Sequence, residues 1–244
     1  MFVPDIEITI PVLNEEKTLK NQILKIIEFL DKDCGHYGQI GLVISDNGSN
    51  DRTSYIAQEF QENDPRIRYL RLEEKGVGRA LKASWLSSKA GIIGYMDLDL
   101  STDIEHLHQV FDALLSDKYD MVAGTRLAKE SVVTGRSIIR NFTSRIFNEI
   151  ISLSFRGNFT DGMCGFKFLK RDILEVLIEN GVDNNGWFFS TELLVVADYK
   201  KFRILDLPIR WTDDPNSKVK IIKLSREYLK AIFNLKKRLK QNEV

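Results

Sequence analysis

Ile92-Ile93-Gly94-Tyr95-Met96-Asp97-Leu98-Asp99 is an uncharged apolar run of strand length that ends in two carboxylates one residue apart. A strand without polar alternation is covered on both faces, as in parallel sheets flanked by helices. Two carboxylates at i and i+2 beyond such a strand both leave the sheet at one edge. They repel each other and lose hydration unless water reaches them or a cation sits between them. A hard divalent ion with oxygen ligands, Mg²⁺ or Mn²⁺, would resolve the conflict and could bridge to a diphosphate. A solvated loop with two acids is the alternative that the pair alone leaves open.

The flanking sequence repeats the strand–helix unit. Towards the N-terminus, Glu7–Val12, Ile40–Ser45 and Arg66–Leu72 read as strands, followed in turn by helices at Glu16–Leu30, Asp51–Glu62 and Gly78–Ser87. Leu19, Ile23, Ile26, Ile27 and Leu30 recur at helical spacing. Towards the C-terminus come a helix at Ile104–Leu115, a strand at Met121–Ala123 and a long helix at Ser137–Ser154. A short strand at Lys167–Leu169, helices at Arg171–Glu179 and Thr191–Lys200, and a strand at Arg203–Leu207 complete the pattern. This alternation predicts an α/β fold, Rossmann-like, with a mostly parallel central sheet and helices on both faces. Ligands of such sheets bind beyond the carboxyl ends of the strands. Without a linker or repeat, residues 1–216 read as one domain with two functional halves, about 1–100 and about 101–216, followed by a helical segment at 217–244.

The chain has 244 residues with 35 Lys+Arg and 35 Asp+Glu, and zero net charge argues against a nucleic-acid partner. That zero is an average. Residues 217–244 hold nine basic and two acidic side chains, leaving 26 basic and 33 acidic ones elsewhere. Within the tail, Ile221, Leu224, Tyr228, Ile232, Leu235 and Leu239 share one helical stripe, with basic residues over much of the rest. Such a helix suits an anionic membrane surface, and packing on the body or on a partner is the alternative. Two cysteines, Cys34 and Cys164, are too few for a disulfide framework or a cysteine zinc site. Asp5 and Glu7 stand where a signal peptide needs an apolar core, and no apolar run approaches the roughly 20 residues of a membrane span. The expectation is a cytoplasmic protein that touches a membrane without crossing it.

Pro11-Val12-Leu13-Asn14-Glu15-Glu16 follows the first strand and Asp46-Asn47-Gly48-Ser49-Asn50-Asp51 the second. A carboxylate at a strand end beside a flexible glycine can accept from a nucleobase N–H, although the same residue types serve turns and helix caps. Lys75-Gly76-Val77-Gly78-Arg79 opens the third helix, but Leu81 stands where a dinucleotide loop has its third glycine. The segment remains a helix entrance that could admit a close ligand backbone or phosphate. The chain holds no G-x-x-x-x-G-K-[ST], which excludes a P-loop NTPase. His106 and His108, two apart, fall on different helix faces and form no metal set with His36. In the second half Arg126, Arg136, Arg140, Arg145 and Lys218 are surface charges when taken singly. Together, opposite the acid pair, they would make an anion-receiving site.

These stretches in their order resemble a family. Pro11–Glu16 resembles the P-x-x-N-E-E opening of inverting family 2 glycosyltransferases of the GT-A fold. Asp46–Thr53 is similar to their D-D-G-S-x-D-x-T segment, Lys75–Ala80 to their G-x-G-x-A helix start, and Asp97–Asp99 to their D-x-D metal motif. Gly124-Thr125-Arg126, Arg136-Ser137, Asp161–Lys167, Trp187–Leu194, and Pro208–Trp211 through Ser217-Lys218 resemble the polyprenyl-phosphate sugar transferases. Cys164-Gly165-Phe166-Lys167 looks nearer to dolichyl-phosphate β-glucosyltransferases than to dolichyl-phosphate mannose synthases. The resemblance covers residues 6 to about 220. Asn47 departs from the second Asp of D-D-G-S, and Ser101 from the metal-contacting Gln of some mannose synthases.

The resemblance implies a metal-dependent transfer of a hexose, glucose or mannose, from a UDP- or GDP-hexose to a dolichyl or undecaprenyl phosphate. It implies a base and ribose pocket from Pro11, Leu13, Glu15 and Asp46, with Gly76 and Arg79 near it. Asp97 would reach the ribose or the metal, and Asp99 would hold Mg²⁺ or Mn²⁺. Arg126, Arg136, Arg140 and Lys218 would position the acceptor phosphate, and Glu192 would orient substrate or, for a hydroxyl acceptor, act as a base, with a structural cap or ion pair on its helix as the alternative. Asp99, Arg126, Glu192 and Lys218 are then the expected catalytic set. The corresponding location is peripheral, at the cytoplasmic face of a membrane, with the C-terminal helix on lipid and room for a membrane-embedded partner. A relative acting on a saccharide or protein hydroxyl and a nucleotide-sugar-binding regulator without turnover are the alternatives.

Overall fold

The computed structural model describes residues 2–213 and 221–241, without the side chains of residues 138, 140 and 221–225. Its strands are β1 (Ile6–Val12), β2 (Ile40–Asp46), β3 (Ile67–Arg71), β4 (Ile92–Met96), β5 (Met121–Thr125), β6 (Val132–Thr134), β7 (Phe166–Lys170), β8 (Ile204–Pro208) and β9 (Arg210–Thr212). Its helices are α1 (Leu19–Asp33), α2 (Thr53–Asn63), α3 (Val77–Ser87), α4 (His106–Leu115), α5 (Ile138–Phe155), α6 (Arg171–Glu179), α7 (Phe189–Tyr199) and α8 (Ile221–Gln241). Seven strands form one sheet in the order β3-β2-β1-β4-β7-β5-β8, and β6 and β9 pair separately. Within the large sheet only β7 runs against its neighbours, β4 and β5. The α/β architecture expected from the alternating pattern is the one observed.

Apolar packing on both faces explains the unbroken hydrophobicity of the central strands. All of β4 is buried. Ile92 and Met96 join one core with Ile8, Ile10, Leu19, Ile23, Val110 and Phe111. Ile93 and Tyr95 join the opposite core with Trp85, Leu174, Phe189 and Leu193. Each such side chain contributes roughly 1.5–3 kcal/mol through its removal from water.

The structure departs from the sequence expectation in three places. α1 starts at Leu19 instead of Glu16 because the preceding loop is tied to the second one. The Glu15 N–H donates to Thr53 Oγ1 (2.8 Å) and the Glu16 N–H to Asp51 Oδ2 (3.2 Å). The ribbon of β6 and β9, paired from Val132↔Arg210 to Thr134↔Thr212, had no periodic signal in three-residue strands. The third concerns the C-terminal helix, whose stripe suited either a membrane surface or packing on the body. The described part of the α8 stripe faces inward, with Tyr228, Ala231, Ile232, Leu235 and Leu239 buried in the second core, while the side chains of Ile221 and Leu224 lie outside the described residues. Membrane binding through that apolar stripe is therefore corrected, because its side chains are spent on packing.

Candidate active site

Register brings the expected residues to one edge of the sheet. Val12 lies beside Asp46, and Thr9 beside Tyr95, so β1, β2 and β4 end close together. Because β7 is antiparallel, with Phe166 opposite Met96, the segment preceding it reaches this same edge. Gly165 there lies against Asp97, and a Cβ on it would overlap the Asp97 carboxylate.

Asp97 is half-buried and Asp99 exposed. Burial, and then the charge of Asp99, push the Asp97 carboxyl up to about 7 against the opposing pull of Arg126 and Lys167. Asp99 Oδ1 accepts the Ser101 N–H at 2.9 Å, so Ser101 orients the second acid through its backbone. Among the described residues no cluster of three His, Cys, Asp or Glu side chains is arranged for a metal. Two carboxylates fit a hard divalent ion that draws its remaining ligands from water and a diphosphate. Such an ion would also relieve the repulsion that raises Asp97.

Arg126, just beyond β5, is nearly buried and bound on two sides. Its Nε and Nη2 donate to Asp161 at 2.7 and 3.0 Å, and its guanidinium lies 4.9 Å from the centre of the Trp211 ring. β9 supplies that ring. Asp161 also accepts from Asn148 Nδ2 (3.2 Å) and the Met163 N–H (3.0 Å). Burial alone would raise the Asp161 carboxyl, but Arg126 and Lys167 hold it well below the usual range. Asp161 therefore balances the charge of Arg126, which was expected among the cations that position an acceptor phosphate.

Arg136 differs. Its Nη2 donates to Ser144 Oγ at 2.9 Å, while Nε and Nη1 are buried with no hydrogen-bond partner among the described residues. Burial and the neighbouring Arg126 lower its pKa. Buried donors left unspent beside a second guanidinium are costly unless an anion takes them. Lys167, fully buried in β7, donates to the Cys164 carbonyl at 2.7 Å. The Arg140 side chain and Lys218 lie outside the described residues.

At the other end Asp46 is fully buried. Its Oδ1 accepts the Ser49 N–H (2.8 Å), and its Oδ2 accepts Tyr69 Oη–H (2.8 Å) and Arg71 Nη1–H (3.2 Å). Direct base recognition by Asp46 is corrected accordingly, because the carboxylate is already satisfied and acts by holding Tyr69 and Arg71. Pro11 is half-buried, Leu13 is exposed, and the half-buried Glu15 accepts from the Thr18 hydroxyl. Asn47 Oδ1 accepts the Gly76 N–H at 3.0 Å. Gly76 adopts φ +153°, and a Cβ there would overlap the Asn185 carbonyl. The chain's own loop therefore fills space expected to admit a ligand backbone. Arg79 pairs with Glu74 through Nη1 and keeps a buried Nε without a partner among the described residues.

Glu192 requires the largest correction. It is fully buried in α7 and both its oxygens are engaged by protein, through the Asp183 and Asn184 N–H groups and Arg238. It presents no free oxygen to a substrate. Tyr69 and Arg71 were not singled out in the sequence, and Asp161, Lys167 and Trp211 stood there only within family-like stretches, without a role. Lys167, the one charge between Phe166 and Leu169, carried a readable signal. The Arg126–Asp161 pairing, 35 residues apart, carried none.

Residues 7–178 match the family described as Glycosyl transferase family 2. Glycosyltransferase AglD of Haloferax volcanii is 30% identical over 90% of this chain, which spans 35% of that protein. Dolichyl-phosphate beta-glucosyltransferase ALG5D of Trichomonas vaginalis is 29% identical, with 92% of this chain and 72% of that one covered. The dolichyl-phosphate beta-glucosyltransferase of Saccharomyces cerevisiae is 25% identical over 88% of this chain and 69% of its own. Among solved structures, glucosyl-3-phosphoglycerate synthase of Mycobacterium tuberculosis, with Mn²⁺, UDP and phosphoglyceric acid, superimposes with a TM-score of 0.70 at 17% identity. That alignment covers 97% of this chain and 78% of the other. Mannosyltransferase PcManGT of Pyrobaculum calidifontis, with GDP-Man and Mn²⁺, gives 0.62 at 17% identity, covering 95% and 64%. The shared architecture is the GT-A fold.

Proposed function

Because the chain belongs to glycosyl transferase family 2 and is a glycosyltransferase, we propose that it moves glucose from a nucleoside diphosphate glucose to a polyprenyl phosphate, with a divalent cation. The observation that carries this reading is the half-buried Arg136, with two buried donors unspent, beside Arg126, whose charge also acts on Asp97 of the acid pair. Arg126 would then link a donor side built on the acid pair to an acceptor side built on Arg136. The dolichyl-phosphate beta-glucosyltransferase relatives support the acceptor class and the sugar. The Mn²⁺- and nucleotide-containing structures of the same fold support the donor class and the cation.

Asp97 and Asp99 would hold Mg²⁺ or Mn²⁺, which when bound neutralises charge growing on the departing diphosphate. Pro11, Leu13 and Glu15 would frame base and ribose, with Tyr69 and Arg71 held by Asp46 beside them and Gly76 and Arg79 at the entrance of α3. Arg136, backed by Arg126, would position the acceptor phosphate with Arg140 and Lys218. An oxygen of that phosphate attacks the anomeric carbon while the bond from that carbon to the diphosphate oxygen breaks, its electron pair leaving with the diphosphate. Attack from the opposite face turns an α-linked donor into a β-linked lipid phosphate. The attacking oxygen is already anionic at neutral pH, so no side chain need remove a proton. This agrees with a Glu192 that is committed elsewhere.

A lipid acceptor requires contact with a membrane surface, and two exposed helix faces suit it. Ile139, Phe142, Ile146 and Leu153 are exposed on one stripe of α5. Leu229 and Phe233 are exposed on α8, opposite its buried stripe, and share that outer face with Arg226, Lys230, Lys236, Lys237 and Lys240. Among the described residues no helix is long and apolar enough to cross a membrane. A thermal-shift comparison of UDP-glucose, GDP-mannose and the free nucleotides, with and without Mn²⁺, tests the donor assignment. UDP-glucose should raise the midpoint only with Mn²⁺, and Asp99→Ala should abolish both that shift and transfer. Full transfer by Asp99→Ala would contradict the reading.

A further inference from the structure

The two oxygens of Glu192 serve different elements. Oε2 accepts the backbone N–H groups of Asp183 and Asn184, each at 2.7 Å. Oε1 pairs with Arg238 of α8, whose Nε also donates to the Gly181 carbonyl at 2.9 Å. A buried carboxylate without such a countercharge would be strongly unfavourable, and charge-assisted bonds to backbone N–H groups are among the stronger ones.

Residues 183–186, held in this way, lie on the first turns of α3. The Asn185 carbonyl accepts the Arg79 N–H at 3.2 Å, and Lys82 Nζ donates to the Asp183 carbonyl at 2.8 Å. The Asn184 and Asn185 carbonyls occupy the space that side chains at Gly78 and Gly76 would need. Gly76 in turn donates to Asn47, the neighbour of Asp46. Elsewhere the loop borders a cavity of about 260 Å³, reached also by Trp187, Glu227 and Tyr228, so packing does not enclose it on every side.

We infer that Glu192 is a positioning residue for the donor, and that its clasp with Arg238 couples the C-terminal helix to the donor end of the site. The clasp fixes residues 183–186, and these fix the Gly76–Arg79 entrance of α3. The inference rests on the proposal above that the nucleotide sugar binds at the ends of β1, β2 and β4. It gives α8 a part in donor binding that does not require it to touch the donor.

The test uses the full chain with UDP-glucose, Mn²⁺ and a polyprenyl phosphate in detergent, comparing wild type with Glu192→Gln, Arg238→Met and Arg238→Lys. Glu192→Gln and Arg238→Met should each raise the KM for UDP-glucose about tenfold. Their kcat should stay within about threefold, the pattern of lost ground-state positioning. The pH profile of kcat should be unchanged, and Arg238→Lys should recover most of the KM. A kcat loss of about a hundredfold at constant KM, or loss of one limb of the pH profile, would make Glu192 a base and overturn the inference. Unchanged KM in both variants would overturn it as well. Amide hydrogen exchange supplies a readout that needs no donor. Arg238→Met should speed exchange at Asp183, Asn184 and Arg79, and it carries the comparison if Glu192→Gln does not fold. If wild type binds no nucleotide sugar, the proposed donor site fails. Faster exchange at Arg79 would then still uphold the coupling, and unchanged exchange would refute it.

Discussion

A methyl group at residue 165 would overlap the Asp97 carboxylate, so Gly165→Ala must displace either the acid or the segment leading into β7. A displacement of the order of an ångström in a reacting constellation costs about 10²-fold. We therefore expect kcat/KM to fall by about that factor while the thermal midpoint stays near wild type, and unaltered kcat/KM would contradict the placement of Asp97. Asp161 is a second single-residue test. Its carboxyl is held below the ordinary 3.8, so it stabilises the fold above that value and loses this contribution as pH falls through its folded pKa. Asp161→Asn should remove that part of the acid dependence below pH ~4 and, by leaving Arg126 buried and uncompensated, cost about 3–5 kcal/mol near neutrality. Denaturant titrations at pH 3 and pH 7 measure both effects, and equal losses at the two values would contradict the pairing. The acid pair Asp97–Asp99 was legible in the sequence because it interrupts an apolar strand. Asp46 and Glu192 were legible as special positions but not as satisfied ones, since their partners Tyr69, Arg71 and Arg238 are set by tertiary packing.

Elements were readable wherever burial imposed a period. The apolar runs of β1, β2 and β4 and the stripe of α1 located those elements to within a few residues. The direction of β7 was not readable, because a short buried strand has the same pattern whichever way it runs. That reversal nevertheless carries Asp161–Gly165 to the acid pair. α8 shows the complementary difficulty, in that its amphipathic stripe predicts burial without saying against what. The described part of the stripe is buried in the protein, and the opposite face, with Leu229, Phe233 and five cations, is the one proposed for a membrane. Phe142 of α5 and Phe233 of α8 are 65% and 69% exposed, so Phe142→Ser with Phe233→Ser should leave the thermal midpoint unchanged. Binding to vesicles rich in anionic lipid should fall about tenfold at low salt, in sedimentation assays. Undiminished binding by the double variant would rule out these faces.

At the scale of the whole molecule, zero net charge conceals an acidic body and a basic terminal helix. The structure joins them, because α8 is both a wall of the second core and, through Arg238, a support for the loop over α3. The two cores hold the sheet rigid, and its carboxyl edge gathers the acid pair on one side and the buried guanidinium pair on the other. On the proposed function these two halves join a sugar to a lipid phosphate. Incubation of the chain with UDP-glucose radiolabelled in the sugar, Mn²⁺ and a polyprenyl phosphate tests it most directly. The label should partition into organic solvent, be released by mild acid and carry the β configuration. Label recovered only in water, as free glucose or on a soluble saccharide, would contradict it.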